Sequence, residues 1–324
     1  MKNLTCKNCG GTMVLDPSAI TAVCQYCGTS YVLNHEDTDY YRDFYLQMFR
    51  FLEGGHDERT RRRNAEALWK NADAKQFQCS DGRMIEVRYL HTVSGKAADV
   101  YVSRSNIIFH MHGDSIHTAE SYRRMVSLLD YPSADVRSLS DFFPRVTGGF
   151  QLSDGTQLLV IAKDEDEYPL RLFGELSPRH TAWIISRLEN ICCVLEYSGL
   201  VHPNISLDTV FINPYTHQAC LYGDWWDAVK KNTYSADGTH IARTSENLVG
   251  LRRTAAQLLG FPTLSAVRHT DSVPKALIDF LTGIPADTAY EDFAIWDATI
   301  EKAFGGRKFI RMDTDDEQIY KRKV

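Results

Sequence analysis

The chain has 324 residues, of which 44% are hydrophobic and 24% charged, and its formal net charge is −6. Length and composition point to a soluble globular protein of two or three domains, and the acidic balance excludes a surface built all over to grip nucleic acid. No apolar run approaches the roughly 18 residues of a membrane span, and the opening "MKNLTCKNCGG" lacks an apolar signal core, so no membrane is expected and the cytoplasm is the expected location.

The first element is a pair of knuckles, Cys6-x2-Cys9 and Cys24-x2-Cys27, separated by fourteen residues. Each places two thiolates on one tight turn, with Gly10 and Gly28 just after to relieve the crowded backbone. Four thiolates close a tetrahedral site that suits Zn²⁺, and a site with four protein ligands is structural rather than catalytic. Between the knuckles, Met13 to Val23 reads as strand, turn at Asp16-Pro17-Ser18, strand. The segment 1–34 resembles a zinc ribbon, whose folding free energy comes largely from the metal. Its only cations are Lys2 and Lys7, which favours a stabilising or protein-docking ribbon over nucleic-acid contact. The remaining cysteines, Cys79, Cys192, Cys193 and Cys220, lie in apolar segments and read as buried structural thiols.

Residues 35–76 read as a helical connector. Tyr41, Phe44, Tyr45, Met48, Phe49 and Leu52 form the stripe of an amphipathic helix, and Gly54-Gly55 stops it. A second helix, "DERTRRRNAEALWKNA", presents Ala65, Leu68, Trp69 and Ala72 on one face. Its run Arg59, Arg61, Arg62 and Arg63 is read first as a solvated face, with phosphate or RNA contact as the alternative.

From about Phe77 the chain alternates as strands at "MIEVRYLHTV", "ADVYVS" and "NIIFHMH". The helix "SIHTAESYRRMVSLLD" follows, then a hairpin in which Asp154-Gly155 is the turn signal. After the polar stretch "KDEDEYP" the chain is mainly helical. "HTAWIISRLENICCVLEYSG" places Ile184, Leu188, Ile191 and Leu195 on one face, and Gly199 ends it. "LVHPNISLDTVFI", two short strands and "GDWW" come next, followed by a helix "SENLVGLRRTAAQLLG" with Ser245 as its expected N-cap and then the late helices.

This order resembles the protein-kinase fold over roughly Phe77 to Met312, with a smaller lobe at 77–170 and a larger one at 171–324. The fold class expected is therefore α+β: a bilobal kinase-like body preceded by a zinc ribbon and a helical hairpin. The tail "FGGRKF" resembles the ending of bacterial and phage kinase-like proteins. In kinases the catalytic loop reads His-Arg-Asp-Leu-x-x-x-Asn and the metal-binding motif Asp-Phe-Gly. The resemblance places His202 at the histidine, Pro203 at the arginine, Asn204 at the aspartate and Thr209 at the asparagine. Asp224-Trp225-Trp226 falls at the metal-binding motif. It places Gly95 and Lys96 in the nucleotide-covering loop, His110 at the lysine of the third strand and Glu120 as that lysine's partner.

Phosphoryl transfer needs oriented metal ions and a positioned nucleophile. A neutral amide at Asn204, a hydroxyl at Thr209 and an imidazole at His110 are poor replacements for acid, metal ligand and permanent cation. The expectation is a pseudokinase with a structural zinc, acting through protein partners, in which ATP with magnesium binds weakly or not at all. One alternative is an atypical active kinase that holds metal on Asp224 and recruits Lys96 or Lys163 as the missing cation. The other is a nucleic-acid-binding regulator using the ribbon and the arginine-rich helix.

Overall fold

The computed structural model describes residues 13–15, 21–24, 30–32, 58–132, 139–307, 310, 312 and 314–321. Strands β1 (Met13–Leu15), β2 (Thr21–Cys24) and β3 (Ser30–Val32) form an antiparallel sheet in that order, with Met13 opposite Cys24. The two strands expected between the knuckles are therefore present, with a third strand beside them, and the expected turn at 16–18 lies outside the described residues. Cys6, Cys9, Cys27 and the predicted helix at 41–52 lie outside the described residues.

Helix α1 (Glu58–Lys70) leads into a hairpin of β4 (Asp73–Gln78) and β5 (Met84–Tyr89). The turn at Gly82 requires φ +85°, which a side chain would resist. Beyond it lie β6 (His91–Ser94), β7 (Ala98–Val102), β8 (Asn106–Met111), α2 (Ser115–Val126), β9 (Arg145–Gln151) and β10 (Gln157–Ala162). The five strands make one antiparallel sheet in the order β6-β7-β8-β10-β9. Asp114 caps α2 by accepting from the His117 N–H. Ala119, Tyr122 and Met125, three residues apart, put one face of α2 into the core with Phe109, Leu159 and Ile161 of the sheet.

The polar stretch that begins at Lys163 carries the chain to a second lobe. There β11 (Tyr168–Pro169) pairs with β13 (Val210–Asn213), and β13 with β14 (Gln218–Leu221). Helix α3 (Pro178–Tyr197) starts on Ser177 as N-cap with proline in the first turn, and Ile184, Leu188, Ile191 and Leu195 are fully buried. β12 (Leu200–Val201) pairs with β15 (Val229–Lys230), followed by α4 (Thr244–Leu258), α5 (Lys275–Thr282), α6 (Ala289–Phe304) and α7 (Asp316–Tyr320). Helix α4 begins one residue before the expected cap: Ser245 lies inside it, and Arg243 takes the N-cap position with its N–H donated to Glu246 at 2.7 Å. Cys79, Cys192, Cys193 and Cys220 are free thiols, the first two and Cys220 buried.

The larger lobe is knotted together by charge as well as apolar contact. Arg252 on α4 is 2% exposed and donates to the fully buried Asp292 on α6 at 2.9 Å, and to the Phe280 carbonyl of α5 at 3.0 Å. No such arginine was picked out by the sequence reading, because Arg252 occupies an apolar face beside Leu248 and Ala255 rather than a recognisable motif. Glu189 of α3 is buried near this pair; burial first, and then the Asp292 charge, pushes its carboxyl up to about 9. It is held protonated at neutral pH.

Candidate functional site: the cleft between the lobes

A cavity of about 610 Å³ lies between the lobes. The β6–β7 turn, with Gly95 and Lys96, forms its rim, and Val100 and Val102 its roof; Arg171, Asp208, Thr209, Phe211, Asp224 and Asp227 are among those that come from the larger lobe, and Phe109 and Trp226 also line it. A Cβ on Gly95 would stand 2.7 Å from the Ala98 carbonyl oxygen, so glycine is required for that tight turn.

Side chains alternate along β8. Ile107, Phe109 and Met111 enter the main core, while Ile108 joins the small cluster on the opposite face of the sheet, with Phe77 and Leu158. His110 goes the same way as Ile108: its ring stands 5.1 Å from that of Phe77 and its Nε2 lies 3.0 Å from Thr156 Oγ1. The expectation that His110 faces the cleft is corrected by one residue, and Phe109 holds that position. In a strand a shift of one residue exchanges the two faces. Partial burial, reinforced by His112 and Lys75, lowers the His110 pKa. Glu120 also fails as its partner, since it lies exposed on α2. The residue of α2 that reaches toward β8 is Tyr122. Phe109, Tyr122 and Trp226 form an aromatic triangle, with ring centroids 5.7, 5.5 and 6.0 Å apart. Tyr122 donates its hydroxyl to the Tyr222 carbonyl at 2.6 Å.

The loop from His202 to Thr209 is held by its backbone. The His202 N–H donates to Asn247 Oδ1 of α4 at 2.8 Å, Asn247 Nδ2 donates to the Leu200 carbonyl at 3.3 Å, and His202 Nε2 lies 3.0 Å from the Gly223 carbonyl. The imidazole is fully buried against Trp225, and burial pushes its pKa down to about 4, so it is neutral. Thr209 turns its hydroxyl back onto the loop, donating to the Asn204 carbonyl at 2.5 Å and accepting from the Ser206 N–H at 3.0 Å. Gly223, two residues past β14, lies against this loop, where a Cβ would meet Thr209 Cα at 2.8 Å.

Asp224 then adopts φ +54°, the left-handed conformation that aspartate tolerates better than most residues, and starts a single 3₁₀ turn, Trp225–Asp227. The turn separates the two tryptophans. Trp225 is fully buried and donates Nε1–H to the Leu221 carbonyl at 2.8 Å, whereas Trp226 lines the cleft. Asn204 Nδ2 donates to Asp224 Oδ2 at 3.3 Å and to Asp227 Oδ2 at 3.0 Å. Burial, and then the charges of Asp227 and Asp208, push the Asp224 carboxyl up to about 6, opposed by the Asn204 amide. Asp208 is itself clamped by the Arg171 guanidinium through two hydrogen bonds.

Lys96 stays at the cleft rim. Lys163 does not reach the cleft: its buried ammonium donates to the carbonyls of Arg104 and Asp164, each at 2.8 Å, and burial lowers its pKa to about 8. Among the described residues, no group of three His, Cys, Asp or Glu side chains is arranged to hold a metal ion.

No family model matches the chain, and no curated protein matches it by sequence. Among solved structures it is similar to the ROP18 kinase domain in complex with AMP-PNP and sucrose, at 13% identity and a TM-score of 0.50, over 80% of this chain and 93% of that one. The fold is protein-kinase-like. Vaccinia related kinase 3 is similar at 14% identity and a TM-score of 0.47, over 73% and 94% of the two chains. The kinase PK-1 of the Cydia pomonella granulovirus is similar at 14% and 0.46, over 67% and 93%.

In kinases a lysine of the third strand pairs with a glutamate of the following helix, and that ion pair must be in place for phosphoryl transfer. In the kinase-like body of this chain the strand and helix are β8 and α2, and their facing residues, Phe109 and Tyr122, form an aromatic contact. The loop keeps its buried histidine. Asn204, which the resemblance sets at the acid position, donates Nδ2 to two carboxylates. Thr209, which the resemblance sets at the asparagine, gives its hydroxyl proton to the Asn204 carbonyl and accepts from the Ser206 N–H. No described helix is long and apolar enough to cross a membrane.

Proposed function

We propose that the protein is a pseudokinase: a kinase-shaped body with impaired chemistry, a structural zinc in its N-terminal ribbon, and a function exercised through protein partners. The observation that carries this reading is Phe109 at the cleft-facing position of β8, closed over by Tyr122 and Trp226. An aromatic triangle offers no cation for a phosphate and no room for an ion pair. Magnesium–ATP fits the remaining residues poorly, because the Thr209 hydroxyl is turned into its own loop and Asn204 presents donors to the acidic pair. Zinc fits the chemistry of four thiolates at Cys6, Cys9, Cys24 and Cys27, which would hold it as a closed structural site.

Thermal unfolding with ATP and magnesium tests the reading. A site occupied at a hundred times its Kd gains about 2.7 kcal/mol, which is a shift of several degrees for a body of this size. The expected shift is below about 1 °C. A shift of several degrees that disappears in Asp224→Ala overturns the proposal. A second reading, an atypical kinase, draws on one observation: Asp224 and Asp227 converge on Asn204 at the cleft. Radiolabelled autophosphorylation that depends on Asp224 would support it, and silence across a substrate panel would count against it. The nucleic-acid reading loses one cation of its basic helix, because Arg61 is turned inward onto Asp166 at 2.5 Å.

A further inference from the structure

The polar stretch between the lobes is where a bilobal protein bends. Lobe closure proceeds by backbone rotation at a few such residues. In this chain both flanking segments are packed against it. Helix α1, ahead of the kinase-like body, touches both lobes at once. On the smaller lobe, Arg88 of β5 donates to the last carbonyls of α1, at Trp69 and Lys70, each at 3.1 Å. Arg104, in the β7–β8 turn, pairs with Glu66 of α1 at 2.9 Å and with Glu165 of the interlobe stretch at 3.0 Å. On the other side, Arg61 of α1 pairs with Asp166 at 2.5 Å, and its guanidinium lies 3.9 Å above the ring of Tyr215 in the larger lobe.

The last described segment closes the arrangement. Tyr215 donates its hydroxyl to the Thr314 carbonyl at 2.8 Å, and Tyr168, fully buried, donates to Asp316 Oδ1 of α7 at 2.7 Å. Leu68 of α1, Leu90, Tyr168, and Ile319 and Tyr320 of α7 share one small buried cluster. From within, the Lys163 ammonium ties the Arg104 carbonyl of the smaller lobe to the Asp164 carbonyl of the interlobe stretch, and Glu167 accepts from the Asp164 N–H at 2.9 Å.

We propose that α1 and the segment around α7 form a brace across the back of the interlobe stretch that fixes the angle between the lobes. Rotating the lobes would pull Arg61 from Asp166 and Tyr215, or Arg88 and Arg104 from α1, because one rigid helix carries both sets of contacts. The device holds the body in one shape whether or not the cleft takes a ligand, so it stands apart from the reading of the cleft. It also ties the N-terminal segment to the kinase-like body, since α1 is the element through which that segment joins it.

The test is single-molecule energy transfer in the full chain, with dyes on noncanonical residues introduced at Glu120 of α2 and Lys275 of α5, both exposed. The unsubstituted protein is expected to show one narrow distance, unmoved by ATP with magnesium. Arg61→Ala and Asp316→Ala are expected to broaden it, and to speed amide exchange across residues 163–168 by about tenfold or more. Two interconverting distances in the unsubstituted protein overturn the brace outright. Unchanged distance and exchange in both variants overturn it as well, by showing that the angle is held elsewhere. If either variant fails to fold, Tyr168→Phe, which removes one hydroxyl from the same contact, carries the test with the same two readouts.

Discussion

Asp224 is the site residue whose energetics are most exposed to experiment. Its carboxyl is partly buried in the cleft and faces Asp227 and Asp208, which lifts it from 3.8 to about 6. The raised value means that folding favours the protonated form. Stability is therefore full below the unfolded value of 3.8 and is lost as pH rises toward 6. A shift of about two units corresponds to about 3 kcal/mol at pH above 6. Screening at a side chain that is not fully buried reduces this to about 2 kcal/mol. Asp224→Asn removes the ionisation while keeping an oxygen that accepts from the Asn204 amide. The variant is expected to be more stable than the parent by about 2 kcal/mol at pH about 7.5, a rise in Tm of about 4–8 °C. The gain should fall to roughly a third of that at pH about 4.5, where the parent's carboxyl is largely protonated when folded. Urea denaturation at the two pH values, with a common slope m, measures both. A variant that is neutral or less stable at the higher pH, or a gain independent of pH, would refute the reasoning and make Asp224 an ordinary solvated carboxylate.

Glu189→Gln should stabilise the larger lobe by about 3 kcal/mol near pH 7, because the parent holds a carboxyl protonated about 2.5 units above its ordinary 4.5. The gain should vanish below pH about 4.5, and denaturant titrations across pH read it directly. Asn247→Ala strands the buried His202 N–H and Leu200 carbonyl and is expected to cost about 2–3 kcal/mol by the same titration. Asn247→Asp keeps the acceptor for His202 but sets a buried carboxylate against the Leu200 carbonyl, so it should recover stability only as falling pH protonates that carboxyl. Elemental analysis is expected to find about one zinc per chain, lost in Cys6→Ser; retention of the metal in that variant would exclude the four-thiolate site.

The parts of the fold that the sequence announced are those with a period. The stripe from Ile184 to Leu195, the Asp154-Gly155 turn and the alternation at 98–112 each became the expected element, because burial on one face leaves a repeating signature. The loop from His202 to Thr209 was legible for another reason: spacing along a single loop survives when long-range contacts are unknown. What failed was facing. Nothing local distinguishes Phe109 from His110 as the cleft residue of β8, since apolar Ile108 and Met111 flank the pair and the sheet is covered on both sides. Glu120 was chosen by charge, yet α2 turns Tyr122 inward. The Arg252–Asp292 pair joins residues forty positions apart on two helices, and no one-dimensional pattern encodes that meeting.

On the proposed pseudokinase reading, the same residues explain how a kinase-like body would persist without its chemistry. His202 contributes through packing against Trp225 and through hydrogen bonds to Gly223 and Asn247, none of which needs a charge. The resemblance sets Asn204 at a charged acid and Thr209 at a neutral asparagine, and in this chain each hydrogen-bonds its immediate neighbours. On the same reading, Phe109 and Tyr122 stand where kinases carry a lysine–glutamate pair, and exchanging a desolvated ion pair for well-packed apolar surface is often neutral or stabilising. On that argument, restoring the pair by Phe109→Lys and Tyr122→Glu should destabilise the protein rather than revive it. The aromatic triangle would lose two members, and two charges would enter a site that Trp226 already fills. A double variant that folds as stably as the parent and gains magnesium-dependent ATP binding would show that the cleft had remained an active site in waiting.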